Sequence, residues 1–343
     1  KEHVRMIAVQ INGLRSMEVI DLPKPSPTAG EVLIRLEYVG FCGSDLNTWR
    51  GGNAMAKMPV IPGHEVGAVI EELGEGAPEF LKPGMHVTVN PYTNCGKCPS
   101  CRNGRVNACQ NNQTLGVQRD GIMCEYAVLP WEKIIPAGEL STRTCALIEP
   151  MSVGFHAVAR AEVSDTDYVM VIGCGMVGMG AIVRSIQRGA TVIAADIDGE
   201  KLDLARKMGA AYTINTIKED AHARLAEITS GAGPDVVIEA VGSAPTYQMA
   251  INEVGFTGRV ACIGYAKSDI SFTTRFFVQK ELDIRGSRNA MPKDFLAVIR
   301  YLQKGRCPVD SLISAEVAPE ETQQAMAAWD AAPGKTFRIL VKF

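Results

Sequence analysis

Four cysteines with metal-ligand spacing lie in one short polar segment: Cys95, Cys98, Cys101 and Cys109. The C-x2-C-x2-C-x7-C pattern lets one loop wrap a tetrahedral ion, and four thiolates suit zinc. An all-cysteine shell has no open coordination position, so the predicted role is structural. An iron–sulfur cluster is a second metal hypothesis, and a set of incidental buried thiols is the alternative without metal.

A second group of ligand types is spread over the segments GFCGSD, PGHEVG and LIEP. They carry Cys42, His64 with its neighbour Glu65, and Glu149. One thiolate, one imidazole and one or two carboxylates form a mixed zinc shell that leaves room for water or substrate. Spacing alone does not show that these segments meet, so a small buried cysteine, a hydrogen-bonded turn histidine and a helix-start carboxylate remain the alternatives.

Two polar residues follow Cys42 closely. The Ser44 hydroxyl could pass on a proton from a bound alcohol. The Asp45 carboxylate could hydrogen-bond the free ring nitrogen of His64 and fix its tautomer. Serine and aspartate are also favoured in turns, which is the alternative for both.

The segment VMVIGCGMVG has the glycine pattern of a dinucleotide-binding turn. Gly173, Gly175 and Gly178 permit a tight turn, close approach of a pyrophosphate and close packing of helix on strand. The helix that follows the turn offers amide donors to the phosphates, and Met176 and Val177 in the turn are predicted to contact the cofactor. A glycine-rich crossover without nucleotide is the alternative.

The next strand, TVIAAD, ends at Asp196. A carboxylate there would accept hydrogen bonds from an adenosine ribose and repel a 2′-phosphate, so the sequence favours NAD over NADP. Lys201 is predicted beside the adenosine, with a solvated helix position as the alternative.

The elements that must position these residues change character along the chain. Before about residue 150, short β-type runs such as Glu31–Val39 are broken by Gly and Pro, which predicts an irregular all-β unit whose loops carry the functional residues. From Tyr168–Ile172 onward, apolar strands such as Val236–Ala240 alternate with helical stretches such as Met179–Arg188. This alternation predicts a doubly wound parallel sheet.

Composition limits the class of protein. With 343 residues, 46% apolar and 21% charged, the chain is expected to form two globular domains rather than a disordered segment. Lys+Arg 35 against Asp+Glu 38 gives no basic excess for nucleic acid. The longest apolar run is interrupted by glycines, and no apolar signal segment opens the sequence, which predicts no membrane partner and a cytoplasmic location. There the 10 cysteines would stay reduced.

Taken together, these motifs resemble the zinc-dependent medium-chain dehydrogenases, the group that includes sorbitol and threonine 3-dehydrogenases. GFCGSD, PGHEVG, the cysteine lobe, LIEPMSVG and the GxGxxG turn follow the family's order and span essentially the whole chain. A finer similarity, to sugar-acid dehydrogenases of the L-galactonate 5-dehydrogenase type, rests on GSRNAMPKDF and GVQRDGIMCEYAVLP.

The resemblance implies an α/β fold with two domains. A GroES-like, β-rich catalytic domain is expected over residues 1–150 and 288–343, with a structural zinc lobe at 90–112. A Rossmann NAD-binding domain with a doubly wound parallel sheet is expected over 151–287. Two zinc ions per chain are implied, one structural and one catalytic.

The resemblance also assigns residues to the catalytic zinc and to NAD. Cys42, His64 and Glu149 are implied zinc ligands, with Glu65 a ligand or its close exchange partner. The further residues implied on the nicotinamide and substrate side are Val241, Ile263, Gly264, Tyr265, Ser287 and Arg288.

Two positions depart from the family pattern. Relatives commonly have a proton-relaying histidine where this sequence has Asn47, so the relay is expected to end at Ser44 and a ribose hydroxyl or water. His86 replaces a usual acid and is interpreted as a surface substitution.

Arg288 could anchor a substrate carboxylate, with a cofactor contact or internal salt bridge as the alternative.

The implied reaction is hydride transfer from a secondary alcohol of a sugar acid to NAD+, held in a cleft between the domains. Oxidation of a polyol or of L-threonine would use the same motifs. Outside this activity, a zinc-free quinone reductase and a non-enzymatic NAD sensor or structural zinc protein are the rivals. The expected partners are a small polyhydroxylated substrate and further copies of the chain, as a dimer or tetramer.

Overall fold

The computed structural model describes residues 5–343. The chain forms two compact units: one comprises the chain up to Pro150 together with Met291–Phe343, and the other comprises Met151–Ala290. The sequence-based boundary at 287/288 lies slightly before the second division.

Strands dominate the first part of the described chain, and helices alternate with strands from Tyr168 onward. The strands are β1 (Arg5–Gly13), β2 (Ser16–Pro23), β3 (Glu31–Gly40), β4 (Glu65–Leu73), β5 (His86–Val89), β6 (Tyr126–Pro130), β7 (Ile134–Pro136), β8 (Tyr168–Ile172), β9 (Thr191–Asp196), β10 (Tyr212–Asn215), β11 (Val236–Glu239), β12 (Arg259–Cys262), β13 (Asp283–Gly286), β14 (Ala315–Val317) and β15 (Ile339–Lys342). The α-helices are α1 (Gly43–Trp49), α2 (Pro99–Arg102), α3 (Thr142–Cys145), α4 (Ile148–Arg160), α5 (Met176–Gln187), α6 (Gly199–Lys207), α7 (Ala221–Ile228), α8 (Ala244–Glu253), α9 (Arg275–Gln279), α10 (Pro292–Leu302), α11 (Val309–Leu312) and α12 (Thr322–Ala331). Short 3-10 turns cover Val106–Ala108, Trp131–Lys133, Pro319–Glu321 and Pro333–Lys335.

The first unit is built around a sheet with the order β14-β15-β3-β4-β5-β7, and β6 also pairs with β3. The separate pair of β1 and β2 packs its apolar residues into the same core. Strand β15 comes from the C-terminal segment and runs antiparallel to β3, which ties that segment into the unit. One face of β3 packs into the core of this unit with Val32, Ile34 and Leu36, and Leu33 on the opposite face is buried as well.

The second unit contains a six-stranded sheet in the order β10-β9-β8-β11-β12-β13, and the pairs are all parallel. Val169, Met170 and Val171 of β8 are completely buried, as expected for a strand whose two faces are both covered. The strand order reverses between β8 and β11, and ligands bind at such a switch point, beyond the carboxyl ends of the strands. The doubly wound parallel sheet predicted from the sequence is confirmed.

Two helices correct the prediction that the first half is all β. Helix α1 starts directly after Cys42, whose backbone N–H donates to Asp45 Oδ2 at 2.8 Å, and this bond closes the first turn. Helix α4 contains Glu149 in its first turn, where Pro150 is tolerated because no intrahelical amide donor is needed there.

Among the helices within residues 5–343, none is long and apolar enough to cross a membrane.

Candidate metal sites and dinucleotide site

The four cysteines of the predicted structural site converge in the first unit. Their sulfur atoms all lie within 4.8 Å of one another, and Cys98 Sγ is 3.8 Å from Cys109 Sγ. A tetrahedral zinc ion with Zn–S bonds of about 2.3 Å would separate its sulfurs by about 3.8 Å. The spacing therefore suits one shared ion and does not suit the separate irons of a cluster.

Backbone amides prepare this lobe for thiolate chemistry. Cys95 N donates to Cys109 Sγ at 3.3 Å, and Cys98 N donates to Cys95 Sγ at 3.4 Å. Hydrogen bonds from the backbone amides of Lys97 and Cys98 lower the pKa of Cys95 to about 6. A deprotonated sulfur is the form that binds metal, so these donors favour the predicted role.

The second group of ligands is assembled by the pairing of β3 with β4. Gly40, at the end of β3, lies opposite Glu65, the first residue of β4, and Cys42 and His64 lie beside this pair. One ligand atom each of Cys42, His64 and Glu65 falls within 4.8 Å of the others. A Cβ at position 40 would overlap the Glu65 carboxylate, so only glycine admits that side chain here.

The charges around His64 are those of a cation site. Burial by itself lowers the pKa of His64, but the Cys42 thiol, Glu149 and Asp45 together hold it well above its usual value. Neither Nδ1 of His64 nor either carboxylate oxygen of Glu65 makes a hydrogen bond with the described residues. Buried, unbonded donor atoms in a negative field fit a divalent ion, and the sulfur, nitrogen and oxygen donors are those of a catalytic zinc.

Glu149 lies next to this group. Its charge raises the pKa of His64, whereas the ligand atoms that all lie within 4.8 Å of one another are those of Cys42, His64 and Glu65. The phenol of Tyr92 donates a hydrogen bond to Glu149 Oε1, and both side chains are buried. Burial raises the pKa of Glu149, although the charge of His64 opposes this. Burial and the neighbouring Glu149 together raise the pKa of Tyr92.

Glu65 has a cationic neighbour from the far end of the chain. Arg338 Nε lies 3.0 Å from Glu65 Oε2, with 6% and 0% of the two side chains exposed. The two atoms are not aligned as a hydrogen bond, so this is a charge–charge contact. Arg338 Nη1 donates instead to the backbone oxygen of Phe41, next to Cys42.

Two sequence-based expectations about neighbouring residues were wrong. Asp45 does not hydrogen-bond His64, because its Oδ2 accepts from Cys42 N and its Oδ1 has no partner among the described atoms. Burial raises the pKa of Asp45 to about 6, although the His64 charge opposes this. His86 is not a surface substitution: it is half-buried, and its Nδ1 lies 2.7 Å from Leu140 O.

The glycine turn of the second unit joins β8 to α5. Gly173 has φ +93°, and a Cβ there would lie 2.6 Å from Val241 Cγ2. A Cβ at Gly178 would overlap the Gly173 oxygen, which explains the close packing of α5 on the strand. A Cβ at Gly175 would project into open space, and no side chain caps α5, which begins at Met176 and Val177. An open cradle at an uncapped helix N-terminus fits a pyrophosphate.

The predicted ribose-binding carboxylate stands beside this turn. Asp196 Oδ2 accepts from Cys174 N at 2.6 Å, and its Oδ1 accepts from Asp198 N at 2.9 Å. Lys201 is not a solvated helix residue, because it is only 9% exposed. Its charge acts on Cys174: burial and Asp196 raise the pKa of that thiol, and Lys201 opposes the rise.

The remaining predicted cofactor residues follow the later strands of the same sheet. Val241 is half exposed, whereas Ser287 is buried and its Oγ makes no hydrogen bond within the described part of the chain. The turn after β11 is braced by Glu239, whose Oε1 accepts from Val241 N at 3.0 Å. Ile263 and Arg288 are partly exposed, and Tyr265 is 73% exposed. The backbone oxygen of Gly264 accepts a hydrogen bond from the Tyr247 hydroxyl.

Comparison with known proteins agrees with this architecture. Residues 28–139 match the alcohol dehydrogenase GroES-like domain, and residues 177–304 match the zinc-binding dehydrogenase domain. The chain is 33% identical over 290 residues to L-galactonate-5-dehydrogenase of Escherichia coli K12, covering 84% of this chain and 85% of that one. It is 34% identical over 332 residues to a Bacillus subtilis sorbitol dehydrogenase, covering 94% and 92%. A crystal structure of the Escherichia coli CFT073 alcohol dehydrogenase RspB with NADH has a TM-score of 0.90 and 28% identity, with 99% of both chains covered.

The chain belongs to the zinc-dependent medium-chain dehydrogenases. It is therefore an oxidoreductase of the zinc-type alcohol and polyol dehydrogenases, with a GroES-like and a Rossmann domain. The quinone-reductase and sensor alternatives are thereby set aside.

Sequence reasoning missed two side chains near the dehydrogenase's metal group and one at the dinucleotide site of the second unit. Arg338 lies far from Glu65 in sequence, and no local motif links them. Tyr92 precedes the cysteine lobe, and its hydrogen bond to Glu149 depends on where α4 starts. The third side chain, Glu239, lies near the end of a predicted apolar strand of the second unit. Its carboxylate accepts from the backbone amides of Val241 and Gly242, and this Val-Gly pair is the one local sequence signal for the turn.

Proposed function

We propose that this dehydrogenase oxidises a secondary alcohol of a sugar acid, an L-galactonate-like aldonate, with NAD+ as the hydride acceptor. The observation that carries the proposal is the approach of Cys42, His64 and Glu65 to within 4.8 Å of one another. A thiolate, an imidazole and a carboxylate at one point form the open shell of a catalytic zinc.

Cys42 and His64 would hold the catalytic zinc, with Glu149 as the third ligand and Glu65 as a ligand or exchange partner. The four-cysteine lobe would hold a second, structural ion. When bound, the catalytic zinc supplies Lewis acidity, which lowers the pKa of an alcohol. The bond from Tyr92 to Glu149 Oε1 would orient that carboxylate as a ligand, and the contact with Arg338 would hold Glu65 when it does not face the metal.

Ser44 is the residue we assign to the first proton transfer. Its Oγ is buried and has no hydrogen-bond partner among the described residues, so it can accept the alcohol proton. Asn47 cannot titrate, so the proton leaves Ser44 through a ribose hydroxyl or water.

NAD is proposed over NADP because of Asp196. Its carboxylate lies at the glycine turn and would repel a 2′-phosphate while accepting from a ribose hydroxyl. The pyrophosphate would lie over Gly175 and the first amides of α5, and Lys201 would lie near the adenosine. The nicotinamide side is assigned to the residues after the later strands: Val241, Ile263, Gly264, Ser287 and Arg288.

Polyol oxidation is the second candidate. It is favoured by the 34% identity to sorbitol dehydrogenase, which is as high as the identity to the sugar-acid relative. Both substrates are polyhydroxylated, so the reacting carbinol and the metal ligands would be the same.

We also propose that the protein is a homo-oligomer, a dimer or tetramer, that works in the cytoplasm. Strand β13 ends the six-stranded sheet with 44% of Ile284 exposed, and Val278 nearby is 82% exposed. A strand at the edge of a sheet has one unpaired side, which can pair with a second copy. None of the ten cysteines forms a disulfide, which suits a reducing compartment. Light scattering that gives a monomer mass would contradict the oligomer.

The test is NAD+ reduction, followed at the NADH absorbance, with aldonates, the matching polyols and L-threonine. Turnover on aldonates above the other two substrates supports the proposal. Faster turnover on a polyol selects the second candidate, and full turnover by verified metal-free protein contradicts the zinc mechanism.

A further inference from the structure

Arg119 is a half-buried arginine without a carboxylate within ion-pair distance in residues 5–343. Its Nε is shielded from water and makes no hydrogen bond there. Arg259 and Arg338, two other shielded arginines, have carboxylate oxygens at 2.6 Å and 3.0 Å. Because a shielded N–H without a partner is costly, we expect a ligand with an acceptor group to complete the hydrogen bonding of Arg119.

A second cation, Lys133, stands beside Arg119. Burial and the Arg119 charge both lower the pKa of Lys133, and Glu132 is the acid that opposes them. Lys133 Nζ donates to the backbone oxygen of Tyr92 at 2.6 Å, and the Tyr92 phenol donates to Glu149. Tyr92 therefore links this pair of cations to Glu149, through its backbone oxygen on one side and its phenol on the other.

The backbone that carries Arg119 is fixed against the residues before His64. Gly121 N donates to Ile61 O at 2.6 Å, and Ile122 N donates to Gly63 O at 3.1 Å. A Cβ at Gly116 would lie 2.7 Å from Gly63 N, and one at Gly121 would overlap the Gly63 oxygen. The backbone of Arg119 is thus held next to the segment before His64 without a ligand, which reduces the entropy cost of ordering the loop on binding.

We propose that Arg119, supported by Lys133, binds an anionic end group of the substrate, a carboxylate or a phosphate. The proposal rests on the proposed function, because the same substrate's carbinol must reach the Cys42 and His64 group. A guanidinium presents a planar fork that pairs with either anion through two parallel hydrogen bonds. This assignment replaces Arg288 as the anchor, since Arg288 already has an interaction within the chain.

The test compares three substrates with one carbon skeleton: a hexitol, its aldonate and its terminal phosphate. Steady-state kinetics are measured for wild type, Arg119→Gln and Arg119→Lys. Arg306→Gln is the matched control, because Arg306 is an exposed arginine of the same unit. We expect Arg119→Gln to raise the ratio of anion KM to hexitol KM by about 10- to 100-fold. Arg119→Lys should recover part of this ratio, and Arg306→Gln should leave it unchanged.

The two anions separate the two sources of the charge. A low KM for the aldonate alone identifies a carboxylate subsite, and a low KM for the phosphate alone identifies a phosphate subsite. An unchanged ratio in Arg119→Gln overturns the proposal, as does a rise produced by Arg288→Gln alone. If no substrate reduces NAD+, the proposed function fails, and titration calorimetry with the aldonate and the phosphate then tests the anion subsite alone. Binding that is weaker in Arg119→Gln than in wild type supports the subsite. Absent binding, or equal binding in both proteins, overturns the subsite.

Discussion

Arg338→Gln removes the cation from a buried ion pair and leaves Glu65 behind. Glu65 is completely buried, and Arg338 Nε is the cationic atom that lies 3.0 Å from its carboxylate. Breaking such a pair by removing one partner costs about 3–5 kcal/mol, because the remaining charge is uncompensated. We expect the first unit to lose stability of that size.

The three tryptophans make the measurement specific to one unit. Trp49, Trp131 and Trp329 all belong to the first unit, so urea unfolding followed by tryptophan fluorescence reports its transition. Arg5→Gln is the control, since its contact to Asp21 is 4.0 Å long and both side chains are about two-thirds exposed. An exposed pair of this kind contributes about 0–1 kcal/mol.

A double variant separates the charge effect from lost packing. Arg338→Gln combined with Glu65→Gln leaves no unpaired buried charge, so it should be more stable than Arg338→Gln alone. The reasoning is refuted if Arg338→Gln lowers the free energy of unfolding by no more than Arg5→Gln does. It is also refuted if Glu65→Gln lowers the free energy of unfolding as much in the Arg338→Gln background as in wild type.

Three further outcomes are expected. Cys109→Ser should remove one zinc equivalent by atomic emission and lower the urea midpoint of the first unit, because it takes one of four ligands from the lobe; unchanged zinc content would contradict this. Tyr92→Phe should weaken retention of the catalytic zinc about 10- to 100-fold in a chelator competition, since it removes a hydrogen bond that orients Glu149; equal retention would argue against a positioning role. Asp196→Asn keeps an acceptor for Cys174 N but removes the charge, so the preference for NAD+ over NADP+ in kcat/KM should fall roughly tenfold; an unchanged preference would remove Asp196 from cofactor selection.

The elements that sequence predicted best are those whose pattern is local. The strand β8 and the glycine turn after it are contiguous, so the apolar run and the GxGxxG spacing specify them together. The cysteine lobe is equally local, because its four ligands lie within one loop. Helix α1 was missed because its main support is one bond, from Cys42 N to Asp45 Oδ2, which GFCGSD also permits in a turn.

The metal group itself depends on long-range pairing that no spacing reports. Cys42 and His64 meet because β3 pairs with β4, and Arg338 arrives through the pairing of β15 with β3. The position of Glu149 depends on α4 and on Tyr92, from two separate segments. The role of Asp45 was misjudged for the same reason: a bond to its neighbour, Cys42, excluded the predicted one to His64.

The central claim is that this chain holds an accessible zinc ion at Cys42 and His64 in addition to the ion in its cysteine lobe. An anomalous difference map collected at the zinc edge from crystals of the purified protein tests it directly. We expect two peaks per chain, one among the four lobe sulfurs and one within ligand distance of Cys42 Sγ and the His64 ring. A single peak at the lobe, in protein that still reduces NAD+, would contradict the claim.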